Sequence, residues 1–223
     1  MDCDLRQYLD NKRHRKAMEL HLSSLDIAWA IANALAHLHR MGIMHRDVKS
    51  GNVVLPKTRH VKLCDLGTAR IWATDMPANL KETALWAAPE VLNSQSYSYT
   101  SDIYSFGIIL TELDTLQKPY YHCLNQEQSN TIYVINEIRQ NRARPKVSKH
   151  CELLLRDLAT RCTSYDPTYK TYWSRSCWFS AQSTNASLIL FPIISDKLLH
   201  NCLTELMRLR MSDHSLMLNS LLI

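Results

Sequence analysis

The chain has 223 residues, a formal net charge of +5 and 46% hydrophobic residues, which suits one ordinary domain plus a tail. The basic residues gather at 12–16 and at Arg139, Arg142, Arg144, Lys146 and Lys149 without interleaved aromatics, so they read as solvated surface and nucleic-acid binding is not expected. The longest apolar run, "LILFPII" at 188–194, falls short of a membrane span, no apolar signal core opens the chain, and seven cysteines without a CxxC pair suit free thiols in a reducing, cytoplasmic setting.

In chain order, residues 1–22 accommodate one short helix. "SSLDIAWAIANALAHLHRMG", 23–42, predicts a longer one, with Ser23 or Ser24 as cap and Gly42 as stop. Two β-type runs follow, "NVVL" at 52–55 and "HVKLCD" at 60–65, joined by 56–59 into a small hairpin. Residues from about 66 to 88 read as irregular. "TSDIYSFGIILTELDTL", 100–116, is apolar nearly all round from Ile103 to Leu110 and predicts a buried helix. Two further helices are predicted at 130–142 and 149–165, the second closed by Asp166-Pro167. Beyond about 171 no period is evident, apart from one amphipathic stretch at "DKLLHNCLTELMRLRM". The predicted class is mainly α with a small β-hairpin.

"HRDVKSGNVVL", 45–55, concentrates the chemistry. A hairpin brings the residues at its open ends together, so Asn52 and Asp65 can point oxygens at one spot with Asp47 close by. Two oxygen ligands with open positions suit Mg²⁺, which keeps waters and takes further ligands from phosphates. A separate carboxylate can orient a hydroxyl or take its proton. Lys49 adds a mobile positive charge. Turns are also rich in Asp, Asn and Lys for purely local reasons, so spacing alone leaves the plain-turn reading open.

The order of motifs goes further. "HRDVKSGN", then "DLG" at 65–67, then "APE" at 88–90, resembles the signature set of the protein kinase family, with D-L-G for the usual D-F-G. "SDIYSFG" at 101–107 resembles that family's buried central helix, and "CTSYDP" at 162–167 its late helix end. The resemblance covers roughly residues 1–170 and implies a kinase-like large lobe, with 171–223 as an atypical tail. It implies ATP and Mg²⁺ as cofactors and a protein substrate. By position, Asp47 resembles the catalytic base, Lys49 the partner of the γ-phosphate, and Asn52 and Asp65 the metal ligands. Val54 resembles the apolar floor under the adenine. Asp4 matches a position that contacts the ribose, although an Asp before a helix is also an ordinary cap. His45 resembles a packed residue rather than a base. Arg46 suggests control by phosphorylation, with Thr74 as the candidate acceptor and a plain loop residue as the alternative. Thr83, before Trp86, and Lys49, two places after Asp47, resemble Ser/Thr kinases, while "DLRQYL" and "SDIYSFGIILTEL" are similar to the tyrosine-kinase-like group. Cys64, beside Asp65, is expected to be packed rather than reactive.

Departures from the family pattern set further expectations. The four glycines, Gly42, Gly51, Gly67 and Gly107, are too far apart for a phosphate-cradling loop, and the small lobe that carries one is expected to be missing. One charge-assisted phosphate contact is worth about 1.5–3 kcal/mol, and a wet adenine face of about 100 Å² roughly 2.5 kcal/mol. Together these predict over a thousandfold loss in ATP affinity. Lys170 stands where the family places an Arg that pairs with the A-P-E glutamate, and cannot make the same bidentate contact with Glu90. Three readings follow: a Ser/Thr kinase lobe that is weak on its own, a non-catalytic pseudokinase-like binding module, or a truncated product without function. An uncovered lobe face offers apolar surface to a partner protein.

Overall fold

The computed structural model describes residues 3–17, 22–56, 61–71, 83–93, 97–124 and 130–166. All of these fall in the first of two units into which the chain divides, Met1–Lys170. Thr74, Lys170 and the segment 171–223 lie outside the described residues.

A two-residue strand, β1 (Cys3–Asp4), leads into α1 (Leu5–Arg13), which Asp4 caps by accepting the Gln7 amide at 2.8 Å. Helix α2 (Ser24–Arg40) begins at Ser23, whose hydroxyl accepts the Asp26 amide. It is followed by Gly42 at φ +79°, a conformation that favours glycine. Strand β2 (Ile43–Met44) then leads to a 3₁₀ turn at Ser50–Asn52 and strand β3 (Val53–Leu55). Strand β4 (Lys62–Leu63) pairs antiparallel with β3, and β1 pairs with β3 on its other edge, so the order is β1-β3-β4. A second small sheet pairs β2 with β5 (Arg70–Ile71).

The remainder is helical: α3 (Pro89–Leu92), α4 (Tyr99–Thr115), α5 (Tyr121–Leu124), α6 (Thr131–Arg139) and α7 (Leu153–Cys162). Helix α4 is the axis. Every residue from Ser101 to Leu113 is buried, as its nearly continuous apolar surface predicts. A Cβ on Gly107 would lie 2.7 Å from Cys162 Cβ and 2.7 Å from Thr163 Cγ2, so the glycine permits the close approach of α7. On another side Met44, Ala88, Val91, Tyr104, Ile108, Val134 and Ile138 form one apolar cluster.

The structure is mainly helical, as predicted, and the predicted hairpin is the β3–β4 pair, which β1 extends to a three-stranded antiparallel sheet. The differences are local. The last two helices are shorter than predicted, and β5 and a 3₁₀ turn at Leu66–Thr68 form where the sequence reads as irregular. The basic residues 12–16 and Arg139, Arg142, Arg144, Lys146 and Lys149 are exposed, as expected of solvated surface. The described cysteines, Cys3, Cys64, Cys123, Cys151 and Cys162, are free thiols. No described helix is long and apolar enough to cross a membrane.

Candidate functional site

The hairpin positions the turn 45–52. Its ladder extends beyond β3 and β4, because the Cys64 amide donates to the Asn52 carbonyl at 2.8 Å. Asp65 therefore follows directly on the residue that faces Asn52. It adopts a left-handed backbone (φ 66°, ψ 70°), is exposed, and accepts the Gly67 amide at 3.3 Å.

Asp47 is the centre of the turn. Its Oδ2 accepts Asn52 Nδ2 at 2.8 Å and pairs with Lys49 Nζ at 2.8 Å. Asn52 Nδ2 also donates to the Asp47 carbonyl at 2.8 Å. The other carboxylate oxygen of Asp47, Oδ1, is buried without a hydrogen-bond partner. A buried acceptor left open in this way costs about 1–3 kcal/mol unless a ligand or water fills it.

His45 is fully buried. Its Nε2–H donates to the Cys64 carbonyl at 3.1 Å, and its Nδ1 accepts the Asp47 amide at 3.3 Å. Burial pulls its pKa down, against the opposing charge of Asp102. With both ring nitrogens committed, His45 is the packed residue anticipated from the sequence and has no lone pair to spare as a base.

Asp102, in the first turn of α4, organises this loop. It accepts His39 Nε2 at 2.8 Å, the His45 and Arg46 amides at 2.9 Å each, and the Tyr97 hydroxyl at 3.1 Å. Burial pushes its pKa up, but hydrogen bonding and charge from His39, with the two amides, outweigh that and leave it below the ordinary value. The two amide bonds hold Arg46 at φ 68°, a left-handed conformation that costs a side-chain-bearing residue about 1–2 kcal/mol.

Arg46 is itself buried. Its guanidinium lies 5.6 Å from the Tyr97 ring centroid, and Nε and Nη2 have no hydrogen-bond partner. Arg46, Asp47, Thr83 and Trp86 line one cavity of about 20 Å³, room for about one water. Thr83 is thus brought to the Asp47 side of the turn. Its carbonyl accepts the Trp86 amide at 2.9 Å.

Asp4 and Val54 are direct neighbours across the β1–β3 pair. The structure therefore places these two candidates together, although one Asp4 oxygen is already engaged in capping α1. Glu90 is buried and accepts the Ser101 hydroxyl at 3.2 Å. Cys64 is half-buried, with its Sγ 4.0 Å from the Lys62 carbonyl.

Among the described residues no group of three or more His, Cys, Asp or Glu side chains gathers as a metal cluster. The amide and carboxylate pair, Asn52 and Asp65, is a different kind of donor set. Both supply oxygen, and the side chains are not consumed by other partners: Asn52 uses its Nδ2, and Asp65 makes one long bond. Such a set fits Mg²⁺.

Sequence reasoning missed Asp102 and Glu112 as organisers. A signal was present for both. An acid inside a helix that is apolar nearly all round must be buried, and a buried carboxylate requires donors.

Comparison with known proteins gives one family model, the protein kinase domain, matching residues 1–178. A probable serine/threonine-protein kinase of Dictyostelium discoideum is 32% identical over 167 residues, 74% of this chain and 12% of that protein. The serine/threonine/tyrosine-protein kinase HT1 of Arabidopsis thaliana is 31% identical over 173 residues, 77% of this chain and 42% of that protein. A second probable serine/threonine-protein kinase of Dictyostelium discoideum is 36% identical over 145 residues, 64% of this chain and 23% of that protein. The chain thus spans less than half the length of these curated relatives.

Proposed function

The chain belongs to the protein kinase family, and on that premise we propose that residues 1–170 form a large lobe whose turn 45–52 serves phosphoryl transfer from ATP to Ser/Thr hydroxyls of a protein. The observation that carries this is the open Oδ1 of Asp47, beside an Oδ2 fixed by Asn52 and Lys49. A substrate hydroxyl that donates to Oδ1 satisfies the orphan acceptor and is oriented by a carboxylate that cannot rotate. Asp47 takes the hydroxyl proton as the hydroxyl oxygen bonds to the γ-phosphorus of ATP and the bond from that phosphorus to the β,γ-bridging oxygen breaks, with ADP leaving.

Lys49 keeps its ammonium beside the transferred group. Thr83, near Asp47, helps orient the hydroxyl-bearing substrate. Asn52 and Asp65 hold Mg²⁺, which when bound neutralises charge on the phosphates. Val54 and Asp4 form the face that receives the adenosine. Arg46 reads a phosphate on the segment that includes Thr74: its two unpartnered nitrogens and their small cavity are what a phosphate oxygen would fill. The free thiols suit a cytoplasmic setting.

Prepared alone, the 223-residue chain has no pair of glycines close enough to cradle phosphates. Its ATP binding is therefore over a thousandfold weaker than that of a complete clamp, on the contact energies above. That same feature favours, as a second reading, a non-catalytic module that docks a partner protein on its exposed face.

The test is titration calorimetry with ATP and Mg²⁺ alongside a peptide phosphorylation assay. We expect millimolar-range, Mg²⁺-dependent binding that Asp65→Ala abolishes, and trace transfer that Asp47→Asn abolishes. Binding unchanged by Asp65→Ala would overturn the site. Micromolar binding would overturn the claim of weakness.

A further inference from the structure

We infer that Glu112 is a positioning residue, whose carboxylate ties the turn carrying Asp47, Lys49 and Asn52 to the segment carrying Thr83 and Trp86. The role rests on the phosphotransfer reading above, but the junction itself does not.

Glu112 lies in α4 with no exposed surface. Its Oε1 accepts Arg6 Nη1 at 2.8 Å and the Ser50 hydroxyl at 3.0 Å. Its Oε2 accepts Trp86 Nε1 at 2.8 Å. Arg6 comes from α1 and also donates to the carbonyls of Leu116 and Gln117 and to Asp10. Three separated chain segments therefore meet on one carboxylate.

Each contact bears on the site. Ser50 is fully buried and sits between Lys49 and Asn52. Trp86 closes a turn onto the Thr83 carbonyl, and its own carbonyl accepts the Ser105 hydroxyl at 2.8 Å. Helix α4 thus grips Trp86 at both backbone and indole. The same Glu112 carboxylate is what couples that grip to Ser50.

Stability alone does not account for the arrangement. A buried ion pair is commonly replaceable by apolar residues without loss. What apolar residues cannot supply is a directional acceptor for two donors on one oxygen and a third on the other. Glutamine cannot supply it either. With its oxygen towards Arg6 and Ser50, its amide nitrogen faces the Trp86 N–H, donor against donor. Glu112→Gln should therefore release the indole while leaving Ser50 held.

The test uses the chain labelled with ¹⁵N-tryptophan, recorded at about pH 8. The Trp86 indole resonance is assigned by Trp86→Phe, or by its change in Glu112→Gln. Ser50→Ala should shift this resonance in the native background and leave it unmoved in Glu112→Gln. A Ser50→Ala chain that folds and leaves the Trp86 resonance in place overturns the inference, and this arm decides even if Glu112→Gln fails to fold. In the phosphorylation assay, Ser50→Ala should lower kcat on the order of tenfold with the KM for ATP unchanged. An equal fall in ATP affinity would instead point to general loosening and also overturn the positioning role. A shifted indole in a chain without transferase activity would leave the junction standing and remove the enzyme reading.

Discussion

Replacing Asp102 by alanine removes the acceptor for four donors: His39 Nε2, the His45 and Arg46 amides and the Tyr97 hydroxyl. The two amides are on the main chain and cannot relocate. Each stranded donor costs about 1–3 kcal/mol. Alanine also removes a buried carboxylate, which returns several kcal/mol of desolvation. The balance should resemble other broken buried charge clusters, about 3–5 kcal/mol of lost stability. For a domain of this size that is a fall in Tm of roughly 10 °C. Asp102→Asn retains one oxygen and strands fewer donors, so it should lose about half as much. The assay is urea denaturation, with the midpoint moving at constant m-value. The sign with pH is also fixed. The Asp102 pKa lies below its ordinary value of 3.8, so its contribution is present above about pH 4 and is lost as pH falls through the folded value. An Asp102→Ala chain within about 1 kcal/mol of the native one would show that the loop is not held from α4.

Other perturbations separate packing from chemistry. Gly107→Ala drives a Cβ into Cys162 and Thr163 at 2.7 Å, including contact with the Cys162 main chain, so about 1–3 kcal/mol should be lost in thermal melting with ATP binding per folded molecule unchanged. The Glu112 carboxyl is pushed up to about 7 by burial, against the indole hydrogen bond and the Arg6 charge. The folded chain therefore keeps a proton that the unfolded chain sheds near 4.5. The stability from this group is full below that value and is lost as pH rises towards 7, at up to about 1.4 kcal/mol per pH unit. Denaturation of native and Glu112→Gln chains at about pH 5 and pH 7.5 should show this slope only in the native one. Arg46→Met removes a buried cation with two unpartnered nitrogens, so its melting temperature should hold or rise. Inorganic phosphate should stabilise the native chain and not this variant.

What was legible in the sequence depended on how many residues carried each signal. Helices α2 and α4 spread their pattern over 17 residues each, and their apolar faces follow from it, as does the Ser23 cap of α2. The β3–β4 hairpin was legible because Val53, Val54 and Leu63 lie on either side of a short connection. Strands β1, β2 and β5 have two residues each, too few to show a period, and they exist only because distant segments pair. The same divide runs through the site. Asp47, Lys49 and Asn52 are neighbours in sequence, so the turn that gathers them was legible. The contacts of Asp102 with the loop span 56 and 57 residues, and that of Glu112 with Ser50 spans 62. Local reading can flag such acids as anomalous but cannot name their donors.

The two proposed metal ligands are built differently, and this predicts opposite effects on stability. Asn52 is buried and donates twice, to the Asp47 carboxylate and the Asp47 carbonyl. Removing it in Asn52→Ala loses both bonds and frees the Asp47 carboxylate to rotate, at about 1–3 kcal/mol. Asp65 is exposed, makes one 3.3 Å bond, and holds a φ of 66° that glycine adopts without strain. Asp65→Gly therefore removes a strained residue. Relief of that strain is offset by greater freedom in the unfolded chain, and the net change should lie between about zero and +1 kcal/mol. Yet the same substitution should abolish Mg²⁺-dependent ATP binding. A residue kept in a strained, exposed conformation that stability does not require is one held for its ligand. Measured together, denaturation midpoints and nucleotide binding of the two variants separate these roles. A large loss of stability in Asp65→Gly would mean that the carboxylate serves the fold, and Asp65 would then lose its claim to be a metal ligand.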